Sequence, residues 1–476
     1  MLFKKKYNYF LILIFISSLF SIMNMQYNLV NYDKNIILED NKTIHRMIKN
    51  DNLRYFSHGD EIKNKLKNNV NYFETGRNNF TKYLYPRLIA LYYLIFDYDL
   101  YENNENETIK IGVHKNFLYF QILLYYSSIA FLYFQLKNKF DLKLLFFSIF
   151  FLCLEPTIFQ YHGSFWSESI FFSLQILIMG LVLNNKSSSL RFFFIGILLS
   201  LLALQRTNGF FYIIPIIIYF FYVKEFNFFK KISFLILGFI LLINFVGYHN
   251  YKKSGEYHVI PKETKAVLHA YVITSILDKE DLLSEKKKTL ELIKSKNLDI
   301  DYDELKNIPY RKYSFKFCHH LNKGDTNLKE LEICKYLNKR SKTLVLLNPI
   351  NSFNFVIKRS LTFSLLNPFH IYSDHKFLSG KSYYKSDLHN KLLPYRVVYS
   401  FIIYVICLIG LIYLYKKKNK KLLFYIIISS LYFFSILSWH GNNRYFTPIL
   451  IYISFLFSGG FLSILNYFFK KKYLKS

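Results

Sequence analysis

The strongest constraint on this chain is a set of apolar runs that carry almost no charge. The run "FLYFQILLYYSSIAFLYFQL" (117–136) is one of them, and nine more fall at 8–24, 143–158, 168–184, 192–206, 209–223, 232–248, 396–415, 422–438 and 446–467. About 20 apolar residues carry a helix across the hydrocarbon core with every backbone hydrogen bond closed inside the segment. The expected fold is therefore an all-α polytopic membrane protein with about 10 transmembrane helices, the shorter ones tilted or partly buried. The bulk composition agrees, with 52% of residues hydrophobic and 20% aromatic. A length of 476 residues could hold two or three soluble domains, but apolar residues clustered in this way argue against that.

The formal charge of +30 would suggest a nucleic-acid partner in a soluble protein. Here the lysines gather in short runs at the ends of apolar segments, where they act as orientation signals and contacts for membrane lipids. No nucleic-acid partner is expected. With a cytoplasmic N-terminus, ten crossings leave Lys4–Lys6 and the stretches 137–143, 186–191, 224–231, 416–421 and 470–476 inside, with about twenty Lys and Arg among them. The short outer connections carry only Arg206 and Arg444. That bias over short loops fixes the expected orientation. The first apolar segment follows "MLFKKK" without a small-residue cleavage site, so it reads as a retained helix.

Two long loops fall outside on this topology, and they divide the chain into 1–248, 249–395 and 396–476. The first loop, 25–116, contains the short apolar stretch "YLYPRLIALYYLIF" (83–96), which reads as an amphipathic or re-entrant helix lying along the outer surface. The second, 249–395, has the size of a small domain and is expected to be mostly helical. Within it "KEDLLSEKKKTLELIKSKNLD" shows apolar residues at helical spacing. Cys318 and Cys334 lie in this loop and leave a single disulfide open, while Cys153 and Cys407 fall inside apolar segments as packing residues.

Four polar breaks share the outer face: "SHGDE" (57–61), "YHGSFWSES" (161–169), "QRTNG" (205–209) and "WHGNNRYF" (439–446). Trp166 and Trp439, the two tryptophans of the chain, lie in two of them, at the depth an amphipathic indole prefers. Asp60, with Glu61 beside it, reads as a general base for an acceptor hydroxyl or as a solvated loop acid. Glu168 opens an apolar segment, where it serves the helix dipole, binds a divalent metal such as Mg, Mn or Zn, or accepts hydrogen bonds; His162 stands nearby as a helper. Arg206 and Arg444 are cations beside hydrocarbon, where a charge costs about 2.5–3.5 kcal/mol and asks for a partner. A lipid-linked phosphate suits a guanidinium, and snorkelling toward headgroups is the alternative. His440, Asn443 and Asn208 supply further polar groups at the same breaks. No nucleotide-binding glycine motif, CxxC pair or HExxH is present, so no nucleotide cofactor is expected.

In their order and sidedness these breaks resemble the GT-C superfamily of integral-membrane glycosyltransferases. The likeness is strongest to dolichyl-phosphate-mannose–protein mannosyltransferase-like and aminoarabinose transferase-like members. The resemblance rests on "HGDEIKNKLKNNVNYFETGRNNFTKYLYPRLIALYYLIF", "SESIFF", "LLALQRTNGFF" and "NNRYFTPIL". It covers about the first 225 residues and the last 80; "DEIKNK" lacks the Tyr usual after the acid, and 249–395 matches no part of the family. The resemblance implies a GT-C-like fold and an inverting enzyme that moves a sugar from a polyprenyl phosphate to a lipid or glycan acceptor hydroxyl. It implies Asp60 as catalytic acid residue, and Arg206, Arg444 and His440 near the donor phosphate. Glu168 and His162 would serve substrate or metal, and Trp166, Asn208, Trp439 and Asn443 would line the site. A ligase or polymerase using a pyrophosphate-linked donor, or a transporter of lipid-linked sugar, stands as the alternative. A bacterial inner membrane with the site on its outer face is the expected location, with the endoplasmic reticulum as alternative.

Overall fold

The computed structural model describes residues 2–32, 35–37, 43–45, 51–70, 83–98, 111–162, 166–184, 188–254, 257–259, 268–296, 302–313, 317, 328–366, 387–440 and 446–473. These are almost wholly helical. One exception to the all-α expectation is a short antiparallel pair in the first long loop, β1 (Asn35–Ile37) and β2 (Thr43–His45), with Ile36 opposite Ile44.

The first half of the chain forms α1 (Leu2–Tyr32), α2 (Asp51–Lys67), α3 (Leu84–Phe96), α4 (Ile111–Leu136), α5 (Leu142–Leu154) and α6 (Pro156–Phe159). It continues with α7 (Glu168–Leu183), α8 (Ser189–Gln205), a 3-10 turn (Thr207–Tyr212), α9 (Ile213–Tyr222) and α10 (Phe228–Ser254). Proline falls in the first turn of α3, α6 and α9 (Pro86, Pro156 and Pro215), where its missing N–H costs no helical bond.

The bundle is organised around α7. Its 16 residues span about 24 Å at 1.5 Å per residue, and nearly all of them are buried, from Glu168 to Leu183. Helices α4 and α8 cover two of its sides. The C-terminal helices α15 (Asp387–Lys416), α16 (Lys420–His440) and α17 (Thr447–Tyr473) complete the bundle, with α17 packed on α5, α7 and α15. The α15–α17 crossing is close: a Cβ on Gly410 would lie 1.7 Å from the Leu456 carbonyl oxygen, and one on Gly460 1.9 Å from that of Ile406. Small residues at such crossings let backbones touch where lipid offers no hydrophobic drive.

Among the described residues, five helices are long and apolar enough to cross a membrane, through Tyr9–Gln26, Lys115–Leu136, Phe228–Lys252, Leu392–Lys416 and Thr447–Phe468. The protein is therefore an α-helical membrane protein. Each of the ten runs named above falls on a helix: five lie on these spans, those at 143–158, 168–184, 192–206 and 209–223 on the shorter α5, α7, α8 and α9, and the run at 422–438 on α16. The stretch at 83–96 is also a short helix, α3, packed against α2 through buried Tyr85, Ile89 and Tyr93.

Between α10 and α15 lies a separate helical unit. A π-helical turn (Leu268–Ile273) runs into Thr274–Ile276 and is followed by α11 (Lys279–Ser295), α12 (Tyr302–Asn307), α13 (Leu328–Leu347) and α14 (Pro349–Phe363). Two apolar clusters hold it, one around Ile293, Leu305, Tyr313 and Ile333, the other around Val272, Ile276, Leu344 and Phe355. The expected surface helix is α11. It starts at Asp278, whose side chain accepts from the Asp281 N–H at 2.8 Å, and turns Glu285 inward to a two-pronged pair with Arg340 on α13 at 2.8 and 2.7 Å. Cys334 is disulfide-bonded, Cys153 and Cys407 are buried free thiols, and Cys318 lies outside the described residues.

Candidate functional site

The polar breaks at 161–169 and 205–209 meet. Helix α8 ends because Arg206 takes an extended conformation as its C-cap, while its N–H still bonds the Leu202 carbonyl at 3.1 Å. The chain then folds back on α8 through the 3-10 turn. A side chain at Gly209 would place a Cβ 2.7 Å from the Leu202 oxygen, so only glycine allows a turn this tight. Folded this way, Arg206 points at Glu168 in the first turn of α7.

The Arg206 guanidinium donates to Glu168 Oε1, and the two side chains are only 4% and 1% exposed. Ser167 Oγ donates to Glu168 Oε2 at 3.3 Å, Gln205 Nε2 donates to the Ser167 carbonyl at 2.9 Å, and Arg206 lies 5.9 Å from the Phe171 ring centroid. The two residues expected to bind a phosphate and a metal thus compensate each other's charge. Removing one partner of such a pair leaves a buried, uncompensated charge.

His162 sits close by, its Nδ1 3.0 Å from Ser169 Oγ and its ring 3.9 Å from that of Tyr125. Burial pushes this imidazole down to about 3, so it is neutral. Its Nε2, Gln205 Oε1 and both polar atoms of the Asn208 amide are buried, without hydrogen-bond partners among the described residues. Buried polar atoms are nearly always bonded, and here several orphans collect around one ion pair. Trp166 packs half-buried against the bundle core. Tyr432 of α16 donates to the Asn208 carbonyl at 2.8 Å, which brings the C-terminal helices to the same turn.

Asp60 lies within α2, not in a loop as the sequence suggested. Burial of Tyr55, Phe56 and Ile62 against neighbouring helices makes this stretch helical. At Gly59 an added Cβ would stand 2.6 Å from Ile89 Cγ2 and 3.0 Å from the Pro86 carbonyl oxygen, so glycine lets α2 and α3 touch beside the acid. Asp60 is 17% exposed, with the Lys63 ammonium 3.6 Å away and Asn64 donating at 3.1 Å. Lys63 in turn donates to the Tyr98 carbonyl at 3.0 Å. Glu61 pairs with Lys65 at 3.3 Å on a more exposed face.

Helix α3 links this unit to the ion pair. Tyr85 packs edge-on against Tyr55 of α2 at 5.4 Å and donates to Gln121 Oε1 of α4 at 2.9 Å. Burial, and then the Glu168 carboxylate, hold its phenol well above the ordinary range. Tyr85 therefore feels Glu168 on one side and touches the helix of Asp60 on the other.

Two further polar groups escaped the sequence reading. Glu155, which caps α6 ahead of Pro156, accepts from Ile158 N–H at 2.8 Å and from Tyr399 of α15 at 2.7 Å; the Leu-Glu-Pro order at the end of an apolar run was its one signal. Inside the bundle, Tyr212 bonds Tyr425 at 3.1 Å and Ser429 at 2.9 Å, and Gln175 donates to Tyr452 at 3.1 Å. Polar groups thus also lie between the helix ends, where tyrosines counted as apolar hide a polar core.

Arg444 and Asn443 lie outside the described residues, as do the side chains of Trp439 and His440 at the end of α16. Among the described residues no three His, Cys, Asp or Glu side chains gather as metal ligands. Glu168 already serves a guanidinium, and a dication there would stand against Arg206, so this donor set does not fit a divalent metal.

No protein-family model, no curated protein and no solved structure matches this chain. What fold and site define together is a helical membrane protein with a buried ion pair and orphaned polar groups where α7 begins and α8 ends.

Proposed function

We propose that this protein is an inverting glycosyltransferase that moves a sugar from a polyprenyl-phosphate donor to an acceptor hydroxyl at the outer membrane face. The observation that carries this reading is the Glu168–Arg206 pair ringed by His162, Gln205 and Asn208, with Asp60 one helix pair away across Tyr85. The ten-crossing topology, with the four polar breaks facing outward, and the GT-C-like fold belong to the same proposal. The disulfide at Cys334 supports the sidedness, because such bonds persist in oxidising compartments.

In this mechanism the donor's lipid tail lies between helices and its phosphate approaches the Arg206 end of α8. Glu168 orients the guanidinium. Asp60, whose Oδ1 lies 3.6 Å from the Lys63 ammonium, takes the proton of the acceptor hydroxyl. The oxygen attacks the anomeric carbon from the face opposite the phosphate. The anomeric carbon–oxygen bond breaks, its electron pair goes to the phosphate oxygen, and polyprenyl phosphate leaves. Arg206 and Arg444 stabilise the charge that grows on the leaving group. A phosphate leaving group needs no strong acid, so one carboxylate suffices, and the product is inverted.

The experiment is sugar transfer by purified protein with a panel of polyprenyl-phosphate sugars, comparing wild type with Asp60→Asn. Transfer from at least one donor is expected, with turnover reduced about a hundredfold or more in the variant. Equal turnover in both would remove Asp60 from the mechanism.

A further inference from the structure

The helical unit between α10 and α15 exposes an apolar stripe that its own core does not use. Helix α14 buries Ser352 and Phe355 against the unit, while Ile350 and Phe353 on the other side are 73% and 63% exposed. Ile357 continues the same line, so the exposed apolar positions recur at i, i+3 and i+7 on one helical face. Leu346, at the end of α13, adds an apolar side chain that is 79% exposed. Single exposed apolar residues are ordinary, but a contiguous row of large ones marks a surface made for contact.

Two observations select the occupant. Helix α14 packs against α16, whose own exposed Ile427, Leu431 and Phe434 belong to the apolar outside of the bundle. The stripe is also flanked by exposed Lys342 and Lys358. A basic, apolar-faced helix beside a bundle helix has the chemistry of an element that lies in the headgroup region, its apolar side in acyl chains and its lysines on anionic lipid.

We infer that α14, with the end of α13, is a lipid-seated foot that rests the 268–363 unit on the outer leaflet beside α16. The occupant is a bilayer surface, and anionic phospholipid is the headgroup class it fits. The choice of the outer leaflet rests on the topology proposed above, whereas the seating of the stripe in lipid does not depend on the transferase reading.

The test uses the full-length protein in nanodiscs of mixed anionic and zwitterionic phospholipid. Spin labels are attached at Phe353→Cys and Ile357→Cys, with Leu283→Cys on exposed α11 as a reference in the same unit. Cys153 and Cys407 are buried and the disulfide stays oxidised. All three labelled positions are exposed, so folding is not at stake. Collision with oxygen, which concentrates in lipid, is compared with collision with a water-soluble nickel chelate. Oxygen dominates at 353 and 357 and the nickel chelate at 283 if the foot sits in lipid. Nickel dominance at 353 and 357 would leave the stripe in water. Exclusion of both probes would cover it with protein, a second copy or a partner. Either result overturns the inference.

Discussion

Arg206, which ends α8, donates to Glu168, which begins α7, and both side chains are buried at one end of the bundle. They are 38 residues apart in sequence, and the surroundings of each alone point elsewhere, to a phosphate or headgroups for Arg206 and to the helix dipole or a metal for Glu168. Their pairing changes the chemistry expected of both. Glu168 becomes the group that aims a guanidinium, and Arg206 carries a charge already compensated inside the bundle.

The first prediction concerns that pair. Glu168→Ala alone should destabilise the protein by about 3–5 kcal/mol, because it leaves a buried guanidinium uncompensated. Glu168→Gln combined with Arg206→Met should recover most of that loss, since replacing both charges by neutral groups of similar volume is often tolerated. Thermal unfolding of the purified variants checks both statements. Single and double variants as stable as wild type would mean the pair is not formed. The recovered double variant should transfer no sugar.

Asn208 offers a second, opposite signature. Both ends of its buried amide lack a partner among the described residues, so Asn208→Leu should leave stability unchanged or raise it, on the order of 1–3 kcal/mol at most. The same variant should raise the KM for donor. A structural amide would instead show lost stability and unchanged donor use, which the same two measurements would reveal.

His269 makes stability depend on pH. It sits in the π-helical turn, edge-on to Tyr310 at 4.5 Å, with neither ring nitrogen bonded among the described residues. Burial pushes it down from 6.5 to about 4. The unfolded chain therefore binds the proton first, so stability falls as pH drops below about 6.5 and levels off below about 4, a loss of about 3 kcal/mol in all. His162, also depressed, adds in the same direction. Glu285, held below its ordinary value by Arg340, loses its share only as pH falls below about 4.5. Unfolding temperatures across pH 7 to 4.5 should fall less steeply in His269→Leu than in wild type, and parallel curves would contradict this.

Much of the helical layout was legible in the sequence. Uncharged runs of this length leave a chain few choices, and each of the ten falls on a helix. The helix of Asp60 was not legible, because its polar "SHGDE" stretch is made helical by partners on α3 and α4 far along the chain. Gly59 reads as a loop residue by propensity, yet it serves a close contact with Ile89 and Pro86. The Tyr212–Tyr425–Ser429 cluster was hidden for another reason: a tyrosine ring scores as apolar while its hydroxyl seeks a partner inside the bundle. The Glu168–Arg206 pair escaped because burial and sidedness announce that a charge needs a partner but do not say which.

The most direct measurement maps where the donor phosphate sits. A polyprenyl-phosphate analogue bearing a photoreactive group beside the phosphate is crosslinked to the protein in nanodiscs, and the labelled peptides are identified by mass spectrometry. Labelling should concentrate on 160–170 and 204–212, and should fall sharply in the folded Glu168→Gln, Arg206→Met double variant. Labelling confined to the opposite helix ends, or unchanged in that variant, would contradict a phosphate site at Arg206.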